Sequence, residues 1–223
     1  GTVKRIALQS INTARKSGIR ALGLDEGDEL ISVDVTDGAQ DVMLLTHDGM
    51  GIRFHESDVR CMGRDAVGVR GIKLKDGDYL VGGEIVQPDK LLFSVTENGY
   101  GKRTSPDEYR EQGRNGKGII ATKLTDKTGD LAALLMVKPD EDLMLITDDG
   151  TIIRTRAEDI RVCGRNTQGV IVMKLQEGSH VIGVARAERD EEPDAPVTAD
   201  AADADAAEAR AEGFDTSDAA ESK

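Results

Sequence analysis

GYGKRTSPDEYREQGRNGKGIIATKL, residues 99–124, decides the fold, because the chain repeats its frame. GMGIRFHESDVRCMGRDAVGVRGIKL (49–74) and GTIIRTRAEDIRVCGRNTQGVIVMKL (150–175) align with it without a gap. The shared frame is G-x3-R-x6-R-x2-GR-x3-G-x4-KL. It runs through Gly49, Arg53, Arg60, Gly63, Arg64, Gly68, Lys73 and Leu74, then Gly99, Arg103, Arg110, Gly113, Arg114, Gly118, Lys123 and Leu124. The third copy holds Gly150, Arg154, Arg161, Gly164, Arg165, Gly169, Lys174 and Leu175. A decayed copy opens the chain. Gly1 and Arg5 keep the spacing, and Arg15, Lys16 and Gly18 approximate the later part, so the chain reads as starting in mid-repeat of a longer polypeptide. Self-similarity at a period of about fifty residues signals a repeat architecture.

Each repeat reads as four short strands. In 41–89, apolar residues 42–47 form the first. Asp48-Gly49 turns the chain, because Gly accepts the positive φ of a tight hairpin. Residues 50–54 return, a polar loop follows with one helical turn near 56–60, and 68–74 alternates as a third strand. Asp76-Gly77 turns again into a fourth strand over 79–86. Asn98-Gly99 and Asp149-Gly150 repeat the first turn. The fold class is therefore all-β, a propeller-like array of four-stranded blades. The boundaries fall near 1–40, 41–89, 90–140 and 141–187, giving three full repeats and a partial one. Three full blades and a partial one are also compatible with an open or crescent arrangement.

The chain has 223 residues, of which 38% are hydrophobic and only 3% aromatic, so an aliphatic core is expected. No apolar run approaches the roughly 18 residues that span a bilayer, and residues 1–9 do not read as a signal peptide. Cys61 and Cys163 show neither CxxC nor zinc-ligand spacing and read as buried structural thiols of a cytoplasmic protein.

The net charge of −13 argues against nucleic acid until it is mapped onto the repeats. Residues 1–23 carry +5, 24–48 carry −8, 49–75 carry +3, 76–98 carry −4, 99–123 carry +3, 124–149 carry −5 and 150–174 carry +3. Blades stacked about an axis would gather the basic segments on one rim, where they meet a phosphate backbone through counterion release. The same residues recur in every blade, so the reading is sequence-independent DNA binding with bending. The candidate DNA-binding residues are Arg53, Arg60, Arg64, Lys73, Lys102, Arg103, Arg110, Arg114, Lys117, Lys123, Arg154, Arg156, Arg161, Arg165 and Lys174. For Arg60, Arg110 and Arg161 a structural role stays open, since an acid stands two positions before each. Residues 188–223 carry −10, are rich in Ala, Asp and Glu, and read as a disordered acidic tail able to compete for the basic rim.

No catalytic constellation is legible. Lys117 follows Gly116, but Gly118 stands where a Walker A motif needs Ser or Thr. His47, His55 and His180 are scattered, so no metal site is expected, and Asp148-Asp149 reads as a hairpin turn.

The stretches ENGYGKRTSPDEYR (97–110) and DDGTIIRTRAEDIR (148–161) resemble the C-terminal domain of DNA gyrase A, and the resemblance covers residues 1 to about 187. It implies a β-pinwheel, in which neighbouring blades exchange strands and double-stranded DNA wraps a positive outer rim. It also implies a parent enzyme, an ATP-dependent type II topoisomerase of A2B2 form. That enzyme joins the rest of gyrase A to gyrase B, binds ATP and Mg outside this domain, and works in the bacterial cytoplasm at the nucleoid. The family carries a box, Q-[RK]-R-G-G-[RK]-G. QGRNGKG (112–118) matches it at Gln112, Arg114, Gly116, Lys117 and Gly118 and departs at Gly113 and Asn115. It reads as a degenerate copy, with the true box upstream of Gly1. The corresponding domain of topoisomerase IV and a propeller-type protein-interaction platform are the alternative readings.

Overall fold

The computed structural model describes residues 1–187, so the acidic tail lies outside the described residues. Thirteen strands follow one another: β1 Thr2–Val3, β2 Asp41–Thr46, β3 Met50–His55, β4 Val69–Arg70, β5 Leu80–Ile85, β6 Leu91–Thr96, β7 Tyr100–Thr104, β8 Ile119–Ile120, β9 Leu131–Val137, β10 Asp142–Thr147, β11 Ile152–Arg156, β12 Val170–Ile171 and β13 Val181–Ala187. Among the described residues there is no α-helix. The helical turns are single 3-10 turns, including Glu56–Asp58, Pro106–Glu108 and Ala157–Asp159.

All the ladders are antiparallel, and the sheets run β5-β2-β3-β8, β9-β6-β7-β12, β13-β10-β11 and β1-β4. The anticipated third strand of each repeat is cut to two residues and leaves its own sheet. β4 pairs with β1, β8 with β3 and β12 with β7, so each repeat lends an edge strand to the one before it.

The repeating frame has two local causes. The first is the hairpin. Gly49, Gly99 and Gly150 sit at φ of 73°, 77° and 84°, where a side chain is strained. The N–H of each donates to the threonine carbonyl three residues earlier, on Thr46, Thr96 and Thr147. The second is close approach. Gly68, Gly118 and Gly169 also have positive φ. A Cβ on any of them would stand 2.6 Å or less from a main-chain oxygen of the preceding repeat, on Val3, Gly51 and Gly101 respectively. The short lent strand reaches its partner only because these positions lack side chains.

The core lies largely between consecutive sheets. Met43 and Leu45 of β2 pack with Leu92, Leu131 and Met136 of the next sheet, and Phe93, Val95 and Val137 pack with Leu143 and Leu145 of the one after. Strands covered on both faces read as apolar runs such as LAALLMV over β9, rather than as alternation. The core is aliphatic, as composition implies, apart from Phe54, Phe93 and Tyr109, which are among the largest fully buried side chains. The cysteine expectation is corrected: Cys61 is exposed and Cys163 is half-buried, because both fall in the polar loop after the 3-10 turn.

Candidate nucleic-acid interface

The basic residues of the frame separate into two populations. In the second and third repeats the arginine four positions after the hairpin glycine turns inward, while Arg154 of the last repeat is exposed. Arg103 is 7% exposed, and its Nε donates to the Ile160 carbonyl (2.7 Å) and its Nη2 to the Glu158 carbonyl (2.9 Å) in the next repeat. Arg53 does the same with the Pro106 carbonyl (2.9 Å) and is anchored behind by Asp41 Oδ2 at 2.7 Å. Arg154 keeps the second anchor, Asp142 Oδ2 at 2.8 Å. Arg5, at the same place in the first repeat, lies 3.6 Å from buried Glu56. Burial alone would raise the Glu56 carboxyl, but hydrogen bonds from Thr36, Gln40 and Gly38 together with Arg5 hold it below its ordinary value. Arg53 and Arg103 staple their repeats to the next with the guanidinium fork on backbone oxygens instead of phosphate, and Arg5 reaches the next repeat through a carboxylate.

Lys102 is the second interior cation, with 1% of its surface exposed. Its Nζ donates to the carbonyls of Ala121 (2.9 Å), Gly164 (3.1 Å) and Thr167 (3.0 Å), and to that of Arg165. Desolvation lowers its pKa to about 8. Lys4 repeats the motif on the carbonyls of Ala21, Arg64 and Ala66, at 2.7 to 2.8 Å. Lys102 and Arg103, named from the sequence as DNA contacts, are thereby withdrawn from the surface, and Arg53 is largely so. The frame predicted where a cation stands but not which way it points, because inward and outward positions share one residue type.

The second population is exposed: Arg60, Arg64, Lys73, Arg110, Lys117, Lys123, Arg154, Arg156, Arg161 and Lys174. Among the described residues, Arg60, Arg110 and Arg161 make no ion pair with the acid two positions before them, so the structural role left open for them passes to the inward arginines. Arg156 faces Glu158 at 3.7 Å, an exposed pair of little energetic weight.

At two seams the repeats bring some of these basic residues together. Lys73 N–H donates to the Gly116 carbonyl (2.8 Å), which sets Lys73 beside the 112–118 loop of the next repeat. Lys123 N–H donates to the Thr167 carbonyl (3.1 Å) and sits beside the 164–169 loop in the same way. Half-buried Arg114 crosses the seam to the carbonyls of Asp58 (2.9 Å) and Arg70 (3.1 Å), and Arg165 to that of Ile120 (2.7 Å). Each of these two guanidiniums has further N–H groups beyond those it spends on the seam. Arg70, exposed in β4 beside Arg114, belongs with them although the frame missed it, since Ile120 and Ile171 hold its place in later repeats.

The box-like loop has its own geometry. Asn115 is the one non-glycine residue with positive φ among those described, at 68°, and its N–H donates to the Gly71 carbonyl. Gln112 N–H donates to the Arg53 carbonyl at 2.8 Å. A side chain added at Gly113 would meet nothing within 4 Å. Asp148-Asp149 behaves as a turn, with Asp149 accepting from the Thr151 N–H (2.9 Å) and from Ser179 Oγ (2.6 Å).

The model of the DNA gyrase C-terminal domain, beta-propeller family, matches residues 1–37, 40–87, 90–138 and 141–188, one segment per repeat. The chain belongs to this family. A gyrase-type C-terminal domain is also what its relatives indicate. It is 60% identical over 186 residues to DNA gyrase A of Halalkalibacterium halodurans, covering 83% of this chain and 22% of that protein. It is 43% identical over 198 residues to DNA gyrase A of Salmonella typhimurium, covering 87% and 23%. The chain thus spans less than a quarter of the length of these proteins. Among solved structures, the C-terminal domain of DNA topoisomerase IV matches with a TM-score of 0.79 at 28% identity, covering 84% of this chain and 59% of that one. A DNA gyrase A C-terminal domain matches at 0.70 and 28%, covering 77% and 58%. No helix among the described residues is long and apolar enough to cross a membrane.

Proposed function

We propose that this domain binds double-stranded DNA without sequence preference along the exposed basic run and bends it. In this reading it acts as the C-terminal module of a gyrase A protein, within an ATP-dependent type II topoisomerase completed by gyrase B. The observation that carries the reading is the stitching of Lys73 onto the 112–118 loop and of Lys123 onto the 164–169 loop. It brings separate charged segments together at two seams. A track of Lys and Arg without a base-reading element gains its affinity from counterion release, which is independent of sequence. Membership of the gyrase family and the identity to gyrase A proteins support the assignment to gyrase.

The test is ligation of nicked circular DNA with the domain bound, followed by linking-number analysis. A shift that scales with bound protein is expected, equal for unrelated sequences. Binding with no shift would reduce the role to DNA contact, and no binding at low salt would favour the protein-interaction platform.

A further inference from the structure

Three side chains that the sequence scatters meet at the seam between the second and third repeats. His47 follows β2, Glu97 follows β6, and Asp130 immediately precedes β9. One donor atom from each lies within 4.8 Å of the other two. His47 Nε2 is 3.4 Å from Glu97 Oε1 and 3.9 Å from Asp130 Oδ2. The backbone fixes all three. His47 N–H donates to the Tyr79 carbonyl (2.8 Å), the His47 carbonyl accepts from Leu131 N–H (3.0 Å), and Glu97 N–H donates to the Asp130 carbonyl (2.9 Å). The Tyr79 ring stacks on the imidazole at 4.5 Å and 22°, which sets its plane. Glu97 divides its oxygens, with Oε2 accepting from Asp130 N–H (3.4 Å) and Oε1 turned to His47.

We propose that His47, Glu97 and Asp130 bind a divalent transition-metal ion, of the zinc or cobalt class, as a clip across this seam. The donor set is one imidazole nitrogen and two carboxylate oxygens. Ligand bonds of about 2.1 Å in tetrahedral geometry place donors about 3.4 Å apart, so the observed spacings need only small side-chain movements. Two carboxylates balance the charge of the ion. The imidazole favours zinc or cobalt over magnesium and calcium, which prefer all-oxygen sites. Three protein ligands leave room for water. The three side chains are partly exposed, so an ion has access. Among the described residues of the last repeat, the corresponding turn brings together His180 and Asp148, 3.4 Å apart and within one repeat. The clip differs because His47 belongs to one repeat while Glu97 and Asp130 belong to the next, so an ion there ties the two together. It binds only the folded seam and therefore stabilises it.

The alternative is a bare ion pair of protonated His47 with the two acids, and the experiment separates the two. The full chain is titrated with Co²⁺ by visible absorption and with Zn²⁺ by calorimetry. A saturable site for one ion is expected, with affinity lowered at least about tenfold in Asp130→Asn and in Glu97→Gln. His47→Ala should abolish it and His180→Ala should leave it unchanged. At roughly a hundredfold excess over Kd, Zn²⁺ should raise the Tm of the parent protein by about 5 °C and that of Asp130→Asn by much less. No saturable binding of either ion overturns the proposal. So does binding that survives intact in Asp130→Asn and Glu97→Gln, two isosteric substitutions at partly exposed side chains that should leave the fold in place.

Discussion

The loops at 113–118 and 164–169 hold the same place in successive repeats, yet they rest on different supports. Beneath the second lies the Lys102 ammonium, gathering carbonyls of Gly164, Arg165 and Thr167. Beneath the first, the same place in the preceding strand is Ile52, fully buried, with its Cδ1 3.4 Å from where a Gly116 Cβ would stand. The first repeat returns to the cation, with Lys4 under Arg64 and Ala66. The supporting side chain and the loop residue above it change together, as Ile52 with Gly116 and Lys102 with Thr167. A carbonyl cage around a buried cation and an apolar contact under a glycine are two ways of holding one surface loop. Only the box-like loop, which rests on the apolar support, adds an outward lysine at its tip, Lys117, where the other two loops have Val67 and Gln168.

The largest effect should come from removing the cage. Lys102→Met orphans several carbonyls at once and should cost about 2–3 kcal/mol at neutral pH in urea denaturation. Ile52→Met, a volume-conserving change under the other loop, should cost less than about 1.5 kcal/mol. Equal losses would dissolve the distinction. The pH dependence sharpens it. The folded-state pKa of Lys102 is lowered to about 8 by desolvation, against about 10.4 unfolded. A base lowered in this way weighs against the fold while it is charged. The penalty is complete below pH 8 and fades as pH rises toward 10.4. Over that window the parent protein should gain stability relative to Lys102→Met, and parallel stability curves would contradict the assignment.

The next effect concerns the free space at Gly113. Gly113→Arg supplies the charge that the family box has there and meets no neighbour. It should raise DNA affinity several-fold at low salt and steepen the salt dependence by about one unit of slope. An unchanged slope would place Gly113 away from DNA. The smallest effect is conformational. Asn115→Gly relieves a positive φ and should shift stability by less than about 1 kcal/mol in the favourable direction, whereas Asn115→Val should cost more than that. Thermal unfolding of the pair decides it.

Much of this was legible in the chain itself. The hairpin glycines Gly49, Gly99 and Gly150 announce turns because only one residue type tolerates their φ without strain. Gly68, Gly118 and Gly169 were visible as fixed positions, but their cause was not, since a backbone approach between repeats leaves no trace in composition. The direction of the cations was hidden for a similar reason. Arg103 and Arg110 look alike in the frame, but Arg103 lies in β7 and reaches carbonyls of the next repeat, whereas Arg110 lies in the loop after the 3-10 turn and is exposed. His47, Glu97 and Asp130 share no sequence motif at all. Their meeting is a product of two repeats in register, and reading it from the chain would have required the strand pairing first.

The central claim is that the repeated basic frame splits into interior staples and an exposed DNA track. Its most direct test is the salt dependence of DNA binding by the variant Lys73→Gln, Lys117→Gln, Lys123→Gln and Lys174→Gln combined. All four side chains are exposed, so the fold should be retained and checked by circular dichroism. The account predicts weaker binding to every DNA sequence and a slope of log K against log salt that flattens by about 0.9 for each lysine that meets a phosphate, roughly 3 to 4 in total. A folded variant with the affinity and slope of the parent protein would contradict it.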